Sequence, residues 1–165
     1  MIRYSALFLF FGLLMNTGCK PDNKNSSSTA QVQNDVDMSS PEIPGVPEEV
    51  MLRLVNECTF IDYIFSKLPF SLSQDEPPSI RQNILFIDYK KPVGRIPKHC
   101  KPDGRKFFQI KGEIVYDVDV YILNGCNFYV FVDKKNKPMY ASYITEEGMT
   151  FYNNTIRQAQ GMMQQ

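Results

Sequence analysis

Glu113-Ile114-Val115-Tyr116-Asp117-Val118-Asp119-Val120-Tyr121-Ile122-Leu123, followed directly by Asn124-Gly125, is the stretch on which the fold reading turns. Ile114, Tyr116, Val118, Val120 and Ile122 repeat at every second position, the period of a strand with one buried face. Asp117 and Asp119 fall on the opposite face and mark it as solvated. Asn-Gly after such a run is a strong hairpin signal, because both residues accept the positive φ that a tight turn between twisted strands requires. Working outward, residues 106–110 read as the strand before this one and residues 126–132 as the strand after it. The turn Lys134-Lys135-Asn136-Lys137 then leads to a fourth strand at 138–144. The result is a four-stranded antiparallel meander.

The flanks of the meander read as helices. Pro47-Glu48-Glu49 carries helix-start signals, a proline at the first turn and acids near the positive end of the helix dipole. Met51, Leu54, Val55, Cys58, Ile61 or Asp62, and Phe65 follow near helical spacing, which predicts a helix over 47–66. The run Thr59 to Phe65 is β-branched and aromatic and leaves the C-terminal half open to an extended form. Ser73-Gln74-Asp75-Glu76 resembles a capping box, and a second helix is expected at 75–87 with Ile80, Ile84 and Leu85 buried. Residues 88–104, with Pro92, Pro97 and Pro102, read as a loop. Thr145 is placed to cap a last helix to about residue 158, with Met149, Tyr152 and Ile156 inward. The tail 159–165 is expected to fray. Helices and strands come in separate runs, so the class is α+β rather than alternating βαβ, in a single domain over 47–158.

The chain has 165 residues, 18 basic against 18 acidic side chains, four Cys and one His. The absence of a basic excess argues against nucleic acid as a partner, and one His rules out sites built from several. No Gly-rich phosphate loop, GxSxG or HExxH occurs, so no cofactor, metal or catalysis is expected.

The N-terminus has a different character. After Arg3, Tyr4 to Met15 form an apolar run of 12 residues, too short for the roughly 20 that a spanning helix needs and of the length of a signal-peptide core. It ends in Asn16-Thr17-Gly18-Cys19, which resembles the lipobox of bacterial lipoprotein precursors, with Asn16 where an aliphatic residue is usual. The resemblance covers about 20 residues. It implies cleavage before Cys19, a diacylglycerol on the Cys19 thiol and acylation of its amine. Lys20, where Asp would favour the inner membrane, implies the outer membrane as the address. The part after Cys19 resembles the small lipoproteins of bacterial envelopes, a likeness that carries no activity. Residues 19–46 are rich in Ser, Asn, Asp and Pro and poor in large apolar residues. Such a segment buries too little surface to offset its ordering entropy, so it reads as a tether.

With Cys19 lipidated, Cys58, Cys100 and Cys126 remain, and an oxidising compartment favours one disulfide. In the meander, the start of the first strand, the end of the second and the start of the third lie at one end of the sheet. Three pairings are possible, and that geometry favours Cys100–Cys126, with Cys58 left as a buried thiol on the first helix. His99 reads as a solvated loop residue. Two surface candidates remain. Tyr121, Tyr129, Phe131 and Tyr140 cannot all lie on one covered sheet face, and exposed aromatics suggest a surface for protein or glycan. The loop around Lys98, Lys101 and Arg105 is basic and suits anionic lipid or an acidic partner. The sequence therefore points to a lipid-anchored envelope protein acting as a non-catalytic binding or structural module. The other reading, on analogy alone, is a small inhibitor that protects against an exogenous hydrolase.

Overall fold

A computed structural model describes Val36 and residues 41–68 and 71–162. The expected signal segment, Cys19 and most of the expected tether lie outside the described residues, as do positions 163–165. Ten elements follow one another: helix α1 (Glu48–Glu57), strands β1 (Phe60–Phe65) and β2 (Ser71–Gln74), helix α2 (Pro77–Leu85), strands β3 (Ile87–Pro92), β4 (Gly104–Ile110), β5 (Glu113–Tyr121), β6 (Phe128–Val132) and β7 (Pro138–Ile144), and helix α3 (Glu146–Met162). The class is α+β. The strands form one antiparallel sheet in the order β2-β1-β4-β5-β6-β7-β3.

The four-stranded meander is β4 to β7, the centre of this larger sheet of seven strands. The predicted count falls short on both sides. On one side, the helix predicted over 47–66 ends at Glu57, and Cys58 turns extended. Phe60-Ile61-Asp62-Tyr63-Ile64-Phe65 pairs with β4 instead. Branched and aromatic side chains gain more on a pleated face than on a helix, so the second half of the predicted helix becomes β1. Ser73 does not cap α2. It lies in β2, where its hydroxyl donates to Asp62 Oδ1 at 2.7 Å, and α2 starts on Pro77-Pro78 without a side-chain cap. On the other side, the predicted loop 88–104 begins as the edge strand β3. Its register shifts between Asp88 and Pro92, and an edge strand tolerates a proline that cannot donate.

The turns agree with the residues that make them. Lys111 and Gly112 have φ of 52° and 84° between β4 and β5, and Asn124 and Gly125 have φ of 56° and 79°. Cys126 N–H closes the second turn on the Leu123 carbonyl at 3.0 Å. In the third, Asp133 Oδ1 accepts the amides of Lys135 and Lys137, each at 2.8 Å. Thr145 Oγ1 accepts the Gly148 amide at 3.2 Å and caps α3 as predicted. That helix continues past the predicted fray point to Met162, because Ala159 is buried.

All three helices pack on one face of the sheet. Val50, Met51 and Leu54 of α1, Ile80 and Ile84 of α2, and Tyr152 of α3 meet the inward row of the strands, including Ile61, Phe108, Val118 and Phe131. A second, smaller core lies on the opposite face. There Tyr121, Phe128, Val130, Val132 and Ala141 are covered by Cys100, Cys126, Ile43, Val93 and Ile96. β6 is therefore buried on both sides along its whole length. The end of the expected tether belongs to this second layer. Ile43 N–H donates to the Gly94 carbonyl at 2.6 Å and Ala141 N–H to the Pro44 carbonyl at 2.8 Å. Val46 N–H reaches Ser142 Oγ at 3.0 Å and its side chain joins the helix-side core, so residues 41–46 are part of the domain.

Candidate functional site

The buried chemistry of the helix-covered face centres on Lys106. Gly104, Lys106, Phe108 and Ile110 alternate inward along β4, and β1 comes close to Gly104. A Cβ there would stand 2.7 Å from the Ile64 carbonyl oxygen. Lys106 is fully buried. Its Nζ lies 5.0, 4.7 and 4.9 Å from the ring centroids of Tyr63, Phe108 and Tyr129 and donates to the Asn83 carbonyl at 3.3 Å. Asn83 Oδ1 accepts from the Tyr63 hydroxyl, and its amide donates to Gln74 Oε1. The hydroxyls of Tyr129 and Tyr152 are 2.8 Å apart. Among the described residues, every buried side-chain nitrogen and oxygen has a partner.

Burial pushes the Lys106 ammonium down to about 7, because a low-dielectric interior disfavours the charged form. The three ring faces and the Asn83 carbonyl favour the ammonium and oppose that shift. Burial also holds the Tyr63, Tyr129 and Tyr152 hydroxyls well above their ordinary range. An amine that is neutral near pH 7 can act as a nucleophile toward carbonyl carbon, but only where a substrate can reach it. Lys106 has no exposed surface, so what it contributes is a packed, hydrogen-bonded cluster. Its parity with Phe108 and Ile110 is the sequence signal that separates it from the basic loop.

The second face is built around the disulfide. Cys100 and Cys126 are joined, with Cα atoms 6.0 Å apart, and Cys58 is the free cysteine among the described residues. Cys58 is half-buried, and burial pushes its thiol up. Asp103 was not anticipated as a buried residue. Its Oδ1 accepts from Lys67 Nζ at 2.6 Å, and its Oδ2 accepts the amides of Ile122 and Leu123, each at 2.9 Å. These bonds fasten the start of β4 to the chain leaving β5, which sets the distance that the disulfide spans. The imidazole of His99 turns back, with Nε2 3.4 Å from Cys100 Sγ. The ligand atoms of His99, Cys100 and Cys126 lie within 4.8 Å of one another, but both sulfurs are spent on each other and offer no thiolate.

The expected aromatic surface is not open. Tyr129 and Phe131 are completely buried on the helix-covered face, and Tyr140 is half-buried against Phe131, with ring centroids 6.4 Å apart. Tyr121 does lie on the other face, as parity requires. It is stacked on Phe128 at 4.5 Å beneath the disulfide loop, and burial, with Asp119 and Asp103 nearby, pushes its hydroxyl up to about 12. The aromatics could be split between two faces without being exposed because both faces of β6 are covered. Phe128-Tyr129-Val130-Phe131-Val132 contains no polar alternation, and that was the signal for a strand buried on two sides.

The basic loop divides in the same way. Lys106 is core. Arg105 is held by Asp119, at 2.9 Å through Nε and 2.8 Å through Nη2, and by Asn136 Oδ1 at 2.8 Å. Lys98 and Lys101 are exposed. Asp119 is thereby held in an ion pair with Arg105.

Two surface grooves flank these layers. One of about 550 Å³ lies at the start of α3, between Asp88, Lys91, Asn127, Tyr143 and Glu146. Another of about 530 Å³ runs between Pro41, Ile43, Pro44, Ile96, Lys137 and Pro138 on the second face. Among the described residues, no helix is long and apolar enough to cross a membrane. Comparison with protein-family models, with curated proteins and with solved structures finds no match for the chain.

Proposed function

We propose that this is a lipid-anchored protein of the bacterial envelope, held at the outer membrane, whose domain is a non-catalytic binding or structural module. The observation that carries the reading is Asn16-Thr17-Gly18-Cys19 directly after an apolar run of 12 residues. Several acyl chains on one cysteine hold a protein firmly where one alone does not. The Cys100–Cys126 bond suits an oxidising compartment. The interior supports a module that binds or braces, since Lys106, Asn83 and the tyrosines are committed to one another.

The test is the mass of the N-terminal peptide recovered from the membrane fraction, for the wild type and for Cys19→Ala. A peptide that begins at Cys19 and carries diacylglycerol and acyl mass is expected, with the variant unprocessed and unmodified. An unmodified N-terminus on soluble protein would replace the reading with that of a freely secreted domain.

A further inference from the structure

We infer that the second face of the sheet is a docking surface for anionic phospholipid, so that the anchored domain lies on its own membrane in one orientation. The inference rests on the lipid anchor proposed above. Two lysine-bearing segments far apart in sequence meet on this face. The loop 93–102, with Lys98 and Lys101 exposed, covers β5 to β7. The turn 133–137, with Lys134, Lys135 and Lys137 exposed, folds over the same side, where Asn136 receives Arg105. Ile96 of the loop and Lys137 of the turn line one groove. Two acids of the region are ion-paired, Asp119 with Arg105 and Asp103 with Lys67, while Asp133 accepts the turn amides and keeps its charge. Glu42 is exposed at the groove, and Asp117 lines the surface beside Lys134.

The helical face has the opposite sign. Glu48, Glu49, Glu57, Glu76, Glu146 and Glu147 are exposed on or next to the helices, against Arg53, Arg81 and Arg157. A chain with no net charge is thus polarised across its sheet. An anionic surface attracts one side and repels the other over a screening length of about 8 Å in physiological salt.

The path of the chain selects the same side. Val36 pairs with Pro97, beside Lys98, and Ile43 with Gly94. The chain therefore enters the domain on its cationic face. The 17 peptide links from Cys19 to Val36 span at most about 60 Å, so the anchor keeps that face at high effective concentration near the headgroups.

The experiment uses the full anchored chain from the membrane fraction, inserted into preformed vesicles of phosphatidylcholine alone or with about a third phosphatidylglycerol. A membrane-impermeant amine reagent reads lysine exposure by mass spectrometry. Several-fold lower labelling of Lys98, Lys101, Lys134, Lys135 and Lys137 is expected in the anionic vesicles, with Lys111 unchanged. Salt near 1 M, where the screening length is about 3 Å, should restore it. The triple variant Lys134→Gln, Lys135→Gln, Lys137→Gln should lose most of the protection at Lys98 and Lys101 while keeping the wild-type circular dichroism. Equal labelling in the two vesicles, with the chain anchored in both, overturns the orientation alone. A chain that enters neither vesicle overturns the anchor, and the orientation with it.

Discussion

The ammonium of Lys106 sits under the helices between three ring faces, at the Asn83 carbonyl. Unfolding returns it to its ordinary proton affinity. Between its folded value of about 7 and its ordinary 10.5, the unfolded chain binds the extra proton, and stability must rise with pH across that window. The slope approaches about 1.4 kcal/mol per pH unit. Below pH 7 the group is protonated in both states and adds no slope. Above about pH 10 the sign reverses, because the buried tyrosines keep protons that the unfolded chain releases. Urea unfolding from pH 6 to 10 should show the rise in the wild type and not in Lys106→Met; parallel profiles would mean that Lys106 does not carry it. At pH 6 the Met variant should be at least as stable, since a buried charge gives way to an apolar chain of similar length. Tyr129→Ala and Phe131→Ala should each cost roughly 3–5 kcal/mol by cavity formation. Their effect should appear in urea midpoints and not as the loss of an exposed contact surface.

At the scale of elements, the loop 93–102 has little regular structure and is held by one disulfide, a few backbone bonds and its apolar side chains. Replacing both Cys100 and Cys126 by Ser should cost about 3.5 kcal/mol by the chain-entropy account. The loss should be uneven. Amide exchange should quicken first at Val93 and Ile43, whose partners lie in this layer, and last in β1 and β4. Uniform loss of protection would show that the second layer is not a separately opening unit. The same scale explains which elements were legible beforehand. Strand β4 alternates in burial along its whole length, and all four strands of the meander were read within a few residues. Thr145 announced α3. β1 was left open between helix and strand, because Met51 to Phe65 keeps an approximate helical period through Cys58 while Thr59 to Phe65 is β-branched and aromatic, and only pairing with β4 decides. β2 and β3 are short edge strands whose polar residues carry no period of their own.

Over the whole molecule, β6 joins the two cores, since alternate residues of one strand fill both. Thermal unfolding followed by tyrosine fluorescence and by far-UV circular dichroism should therefore coincide. Two separated transitions would show that the layers unfold independently. The charge separation is also a property of the whole molecule. Equal numbers of acids and bases in the sequence concealed an acidic helical side and a basic loop side, because charge sums over the chain while potential depends on which segments fold together. The sequence alone determined the class, the central meander and the turn residues, all of which rest on local period or backbone conformation. Tertiary structure alone decided that seven strands pair and that residues 41–46 join the domain. Each of these depends on what lies across the sheet from a residue, and no local pattern encodes its partner.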